Sequence, residues 1–208
     1  MPTTARLLFR PFAPVDLDLL HREIYSHPQV AGALSPTGVL SLSDTAQILA
    51  RRLEHWQKHG FGAWALVHQQ SQQLIGHCGL HYLASSPEVE REVELTYTIH
   101  PNYWRQGLAT EAAAAVLDWG FEQLNLPQIV GVTGPDNAAS QRVMQKLGMQ
   151  YQKNMQYNGS EVLYYALSQA EYALSQAEFR HNRLMNLDLL TDEDIWRNPL
   201  IFSPSTEI

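Results

Sequence analysis

One stretch, Pro101-Asn-Tyr-Trp-Arg-Gln-Gly-Leu-Ala-Thr-Glu111, constrains the chain more than any other. It reads as a glycine-bearing turn that leads a strand directly into a helix. The residues before it, Glu90 to Ile99, carry the β-branched and aromatic side chains of a strand. Those after it, Leu108 to Leu124, form a helical run with almost no breaker. A turn at this junction leaves several backbone N–H groups without intrahelical acceptors, at the positive end of the helix dipole. Such a terminus suits a phosphate. Gly107 lets the backbone approach a ligand closely, and Ala109 keeps the first helical turn open. The stretch lacks the Gly-Lys-Ser/Thr ending of a Walker loop, and it holds one glycine where a dinucleotide fingerprint needs three. Taken alone, the turn is equally readable as an ordinary helix start.

A second unit follows in the same order, a strand and then a helix. Pro127 to Thr133 reads as a short strand, and Asp136-Asn-Ala-Ala-Ser-Gln-Arg-Val-Met-Gln-Lys-Leu-Gly-Met149 as a helix. Asp136 or Asn137 can cap that helix, Val143 and Leu147 form an apolar pair, and Gly148 ends it. Together with Thr4-Ala-Arg-Leu-Leu-Phe-Arg10-Pro, Gly62-Ala-Trp-Ala-Leu66, Leu74-Ile-Gly-His-Cys-Gly79 and Glu94-Leu-Thr-Tyr97, these segments resemble the GNAT superfamily of acyl-CoA-dependent N-acyltransferases. The resemblance is closest to the branch that acetylates ribosomal-protein N-termini, with its small-molecule relatives, and runs from about Thr4 to about Ser168. The superfamily usually has Arg or Gln where Trp104 stands; the branch commonly has Trp. The resemblance implies an α/β fold with a mixed, mostly antiparallel, splayed sheet flanked by helices. It implies one acetyltransferase domain over residues 1–168, with 169–208 as a helical extension and tail.

Composition narrows the classes. The chain's 208 residues, 45% hydrophobic, suit one substantial core. No apolar run approaches a membrane span, and the N-terminus lacks a signal-peptide pattern. A single cysteine, Cys78, excludes an internal disulfide and fits the cytoplasm; in a strand-like run it reads as a buried thiol. A net charge of −7 argues against a general nucleic-acid surface and leans toward an amine or a basic peptide as substrate. No nucleic-acid or membrane partner is expected. Oligomeric state stays open, a homodimer included.

Along the chain, Leu7 to Phe12 reads as a strand, and Asp16 to Tyr25 as a helix with Leu17, Leu20 and Ile24 inward. His27 to Leu42 holds Pro28, Gly32, Pro36 and Gly38 and reads as a loop. Ser43 or Asp44 caps the next helix, which ends near Gly60. Ala63 to His68, Gln73 to Leu83 and Glu92 to Ile99 form a meander punctuated by Ser85, Ser86 and Pro87. Met149 to Gln156 and Glu161 to Leu167 make a hairpin over Asn158-Gly159. Leu167-Ser-Gln-Ala-Glu-Tyr172 recurs as Leu174-Ser-Gln-Ala-Glu-Phe179, which reads as a duplication extending a terminal helix. Two copies fall short of a coiled coil. From Asn186 the tail is acidic and of weak or lid-like order.

Acyl transfer from a thioester to an amine needs a neutral amine, a donor for the oxyanion and a proton for the departing thiolate. Strand alternation puts Glu90, Glu92 and Glu94 on one face, which by itself is as consistent with a solvated surface. The resemblance singles out Glu94, at the family's Glu-x-x-Tyr position, as the base, with Glu92 in reserve. It assigns Ser140 to the thiolate, although a first-turn serine bonding the backbone is at least as common. It gives Asn137 to the pantetheine amides, and on sequence that residue is equally a cap. The backbone of Ile99 would pair with the pantetheine, and Arg105, Gln106, Gly107, Leu108, Ala109 and Thr110 would hold the pyrophosphate of acetyl-CoA. Arg142 is either a further phosphate ligand or a solvated helix arginine. No metal is expected: His55 and His59 lie four apart without the zinc-protease glutamate or a third ligand. His77 and His81 alternate in phase on one strand, which the resemblance makes structural. The rivals to an enzyme are a non-catalytic acyl-CoA-binding module and an interaction protein that keeps the fold.

Overall fold

The meander expected after Gly62 is present, and it supplies three strands of a seven-stranded sheet. In this computed structural model the strands are β1 (Leu7–Arg10), β2 (Ala63–His68), β3 (Leu74–Tyr82), β4 (Val93–Ile99), β5 (Gln128–Thr133), β6 (Gln150–Tyr157) and β7 (Ser160–Ser168). The helices are α1 (Leu17–Leu20), α2 (Pro28–Leu34), α3 (Leu42–His59), α4 (Leu108–Glu122) and α5 (Ala138–Lys146). Residues 1–34, 38–83, 92–157 and 159–177 are described. Expectations for Pro36, Ser85 to Pro87, Glu90, Asn158, the end of the second repeat copy and the tail from Asn186 lie outside them. The chain divides into a unit Met1–Gln169 and a unit Ala170–Ile208. In the second, residues 170–177 are helical.

The sheet order is β1-β2-β3-β4-β5-β7-β6. Every neighbouring pair is antiparallel except β4 and β5, which run parallel. That parallel pair has a single register point, Glu94 against Val130, and beyond it the strands part. This is the mixed, mostly antiparallel, splayed sheet that the resemblance implied.

Two apolar layers hold the sheet. On one side α1, the π turn His21–Tyr25, α2 and α3 bring Leu20, Ile24, Tyr25, Val30 and Leu49 against Phe12, Ala63, Ala65 and Leu74. On the other, α4 buries Leu108, Ala112, Ala113, Val116, Leu117 and Phe121 and packs on β3 and β4. Close approach within the sheet fixes two glycines. A Cβ on Gly76 would fall on the Thr98 carbonyl, and one on Gly79 would meet the backbone of Gly62 and Ala63.

Three local readings are corrected. The segment His27 to Leu42 holds a helix, α2, whose Pro28 stands where a missing N–H costs nothing. The α3 cap is Ser41 rather than Ser43 or Asp44. Its Oγ accepts the Asp44 N–H at 3.1 Å, while Asp44 accepts the Ser41 N–H at 2.9 Å. The expected helix from Asp16 to Tyr25 is a 3-10 turn (Pro14–Asp16), then α1, then a π turn (His21–Tyr25).

Asp16 itself is a staple. It accepts both Arg10 guanidinium nitrogens, at 2.8 and 2.7 Å, and the Ala13 N–H at 2.8 Å. Burial pushes its carboxyl pKa up, but the Arg10 fork and the Ala13 N–H outweigh this and hold it below the ordinary value. A depressed folded-state pKa stabilises the fold above the unfolded value and loses that contribution as pH falls through the folded one. Asp16→Asn should therefore cost roughly 1–3 kcal/mol at pH 7. The gap to the unsubstituted protein should close as pH drops below about 4, in thermal denaturation at both pH values. An equal gap at both would remove charge from this account.

Candidate active site

At the end of β4 the chain makes a 3-10 turn, Pro101–Tyr103, and reaches α4 through two left-handed residues, Arg105 (φ 61°) and Gly107 (φ 79°). Gly107 is the N-cap and offers no side-chain acceptor. The helical ladder starts with Glu111 N–H to Gly107 O at 2.9 Å, so the N–H groups of Leu108, Ala109 and Thr110 have no intrahelical acceptor. A Cβ on Gly107 would make ordinary contact with Arg6 Nη2, at 3.6 Å.

Arg6 clamps this turn. Its Nε donates to Glu111 Oε2 at 2.6 Å, its Nη1 to the Gln106 carbonyl at 2.9 Å, and its backbone N–H to Glu111 Oε1 at 3.1 Å. Burial raises the Glu111 pKa, and bonds from Thr4 and Arg6 reverse that to a net lowering. Nothing local in the sequence marks Arg6 for this role, because its partners lie a hundred residues away. Gln106 contributes its carbonyl to the clamp and donates its own amide to the Asn102 carbonyl at 3.1 Å.

The parted edge of β4 supplies a second set of backbone groups. His100 N–H donates to Ile75 O at 2.7 Å, so His100 faces β3. Alternation then turns the N–H and C=O of Tyr97 and Ile99 to the opposite edge, where β5 has diverged. The Ile99 carbonyl accepts the Trp104 indole N–H at 2.6 Å. The Ile99 N–H faces the gap.

The gap is a cleft of about 590 Å³. Tyr97, Thr98 and Ile99 line it from β4. Trp104, Arg105, Gly107, Leu108, Ala109 and Thr110 line it from the turn, Val30 from α2, and Asn137, Ser140, Arg142, Val143 and Lys146 from α5 and its cap. Asn137 caps α5, its Oδ1 accepting the Ser140 N–H at 3.1 Å. The Ser140 hydroxyl lies 2.8 Å from the Tyr97 hydroxyl, which also donates to the Ser140 carbonyl at 3.1 Å. Burial raises the Tyr97 pKa, with the Ser140 bond opposing, so the phenol stays protonated. Arg105, Arg142 and Lys146 bring three cations to the cleft of an acidic chain. In the sequence Lys146 belongs to a matching motif without an assigned role, and its i, i+4 spacing from Arg142 is the signal that would pair the two.

Glu94 is not among the residues that line this cleft. The pleat sends its side chain to the face opposite Tyr97, where it is 8% exposed and its Oε2 lies 3.2 Å from His81 Nε2. Glu94 is thus not a solvated strand carboxylate. Glu92 is partly buried as well and accepts the Tyr164 hydroxyl at 2.5 Å. His55 spends both ring nitrogens on structure, Nδ1 on the Phe61 carbonyl at 2.8 Å and Nε2 on the Tyr82 N–H at 3.2 Å. Among the described residues no group of three or more side chains is arranged to hold a metal ion, and no helix is long and apolar enough to cross a membrane. Cys78 is fully buried, and burial raises its thiol pKa.

Known proteins resemble this chain in sequence and fold. The acetyltransferase (GNAT) domain family matches residues 6–150. The N-acetyltransferase YoaA of Bacillus subtilis is 29% identical over 147 residues, covering 71% of this chain and 81% of its own. A GNAT-family acetyltransferase structure from Bacillus anthracis superposes with a TM-score of 0.67 at 27% identity, over 81% of this chain and 98% of that one. The ribosomal L7/L12 α-N-protein acetyltransferase RimL, solved with coenzyme A, shares the fold with a TM-score of 0.66 at 19% identity, over 80% of this chain and 96% of its own. This chain belongs to the GNAT acetyltransferase family.

Proposed function

We propose that the protein transfers an acetyl group from acetyl-CoA to a primary amine by direct attack, without a covalent enzyme intermediate. One observation carries this reading. The parted β4 edge, the open N-terminus of α4 and three cations meet in one cleft, matching an elongated ligand with amides at one end and phosphates at the other. Acetyl-CoA would supply the acetyl thioester. The N–H groups of Leu108, Ala109 and Thr110, with Arg105 and Gly107, would hold the pyrophosphate, and Arg142 and Lys146 would neutralise the remaining phosphate charge. Ile99 N–H and Asn137 would bind along the pantetheine.

The chain's own groups fit the proton movements. Ser140, bonded to a phenol that burial keeps protonated, can deliver a proton at its Oγ to the thiolate. Glu94, with His81 beside it, presents a carboxylate on the face opposite α5, where an amine could be attracted and deprotonated directly or through water. The acceptor is a protein N-terminus or a small amine, and the single buried cysteine fits the cytoplasm. We assign the activity to residues 1–168 and treat 169–208 as an extension.

Two outcomes test this reading. Gly107→Trp should abolish acetyl-CoA binding in calorimetric titration, with an unchanged circular dichroism spectrum as the fold control. Retained binding would remove the α4 terminus from the site. Glu94→Gln should cut turnover about 10²-fold at neutral pH, leaving acetyl-CoA affinity within twofold. Unchanged turnover would remove Glu94 from the mechanism, and absent acetyl-CoA binding by the well-folded parent protein would sink the acetyltransferase reading itself.

A further inference from the structure

On the sheet face that carries Glu94, α3 lowers Arg52 toward β3. Its Nη2 donates to the Tyr25 hydroxyl at 2.7 Å and to His77 Nε2 at 2.8 Å, and the Tyr25 hydroxyl reaches the same His77 nitrogen at 3.1 Å. The guanidinium carbon stands 5.2 Å from the Phe12 ring centroid and 5.8 Å from that of Tyr25. Every one of these partners is neutral. Among the described residues no carboxylate forms an ion pair with Arg52. Its Nη1 is buried and has no hydrogen-bond partner.

His77 repeats the pattern. It is 2% exposed, and because Nε2 accepts from Arg52, the ring proton sits on Nδ1. That Nδ1 is also buried without a partner. Burial, reinforced by Arg52 and His81, holds the imidazole pKa well below its ordinary value, so His77 adds no charge of its own. The cluster therefore offers donors on two side chains, one of them a full positive charge, and no acceptor to match them. Leaving a buried donor of a charged side chain without an acceptor is expensive, and a planar guanidinium is the group that best matches a carboxylate.

Its place in the fold gives this excess a use. His77 is the direct cross-strand partner of Thr98, and Thr98 lines the cleft. Side chains paired in this way stand roughly 5 Å apart. Tyr25 packs in the same apolar cluster as Val30, which also lines the cleft. On the same two strands, His81 pairs with Glu94 four residues further along β3. A cation without a counterion and a carboxylate thus share the face on which an amine would enter.

We infer that Arg52, supported by Tyr25 and His77, binds a carboxylate on the acceptor, so that the amine acetylated belongs to a carboxylate-bearing small molecule of the amino-acid class. The inference rests on the acetyltransferase reading and narrows its acceptor. A polyamine, carrying only positive charge, meets an unneutralised guanidinium here and is disfavoured. Arg52 acts as a specificity-determining residue and takes no part in proton transfer.

The test is an acceptor panel with the full-length protein and acetyl-CoA, following thiol release. α-Amino and ω-amino acids are each set beside the matching carboxamide and alkylamine, with spermidine and phosphoethanolamine as further arms. The expected result is a kcat/KM at least tenfold higher for the carboxylate member, carried mainly by KM. Arg52→Gln should erase that preference while leaving acetyl-CoA affinity unchanged, and Arg52→Lys should restore part of it. Equal use of carboxylate, amide and alkylamine overturns the inference while the acetyltransferase reading stands, as does preference for spermidine or phosphoethanolamine. A second readout needs no turnover. Succinate and glutarate should raise the thermal midpoint of the unsubstituted protein saturably and leave Arg52→Gln unmoved. Absence of that shift in the unsubstituted protein also overturns the inference, whereas thiol release by no amine, with the shift present, would overturn the acetyltransferase reading and with it the acceptor named here.

Discussion

The structure depends on a hydrogen-bond ladder that stops. β4 and β5 share one register point, Glu94 with Val130, and then separate. Unpaired strand edges are normally a liability, and buried backbone groups normally demand partners. Here the liability is confined. The Trp104 indole satisfies the Ile99 carbonyl, the flanking α4 and α5 wall the gap, and the remaining N–H groups face a cleft of ligand size. The order of the sheet follows from this break. β1 to β4 form one antiparallel set, while β5 to β7 form another.

Each side of the break has its own work. The α4–α5 side is rich in donors, with an open helix terminus, three cations and the Ser140–Tyr97 pair. The α1–α3 side carries the titratable residues Glu94, His81, His77, Tyr25 and Arg52. The pleat of β4 enforces the separation, since Tyr97 and Glu94 differ by an odd number of residues and their side chains leave by opposite faces. One strand thereby presents a phenol to one layer and a carboxylate to the other.

Much of this was legible in the sequence wherever a function is local. The strand–turn–helix at Gly107 and the Asn137 cap depend on neighbours within a few residues, and periodicity exposes them. Less legible were features decided by distant packing. Arg6 reads as an ordinary strand-flanking arginine until the fold brings Glu111 and Gln106 to it. Arg52 looks like a solvated position on α3, and only the docking of that helix on β3 turns it inward. The helix α2 was hidden because Pro28, Gly32 and Pro36 all read as breakers, yet Pro28 occupies a position that tolerates proline. Ser43 and Asp44 are nearer to the apolar face and read as caps, yet Ser41 and Asp44 have the spacing of a capping box, and Ser41 is the cap.

The clamp from Arg6 has a further meaning. Through Glu111 and Gln106 it ties the segment just before β1, at the outer edge of the sheet, to the first turn of α4. The turn that leads into α4 is thus anchored from the far side of the β1–β4 set, across its width, in addition to its own strand. A ligand that fills the cleft engages α5 as well, and so joins the β5–β7 set to a turn already bolted to the other. Occupancy then acts as the missing rung of the β4–β5 ladder, and by mass action the fold's resistance to unfolding rises with the concentration of what it binds.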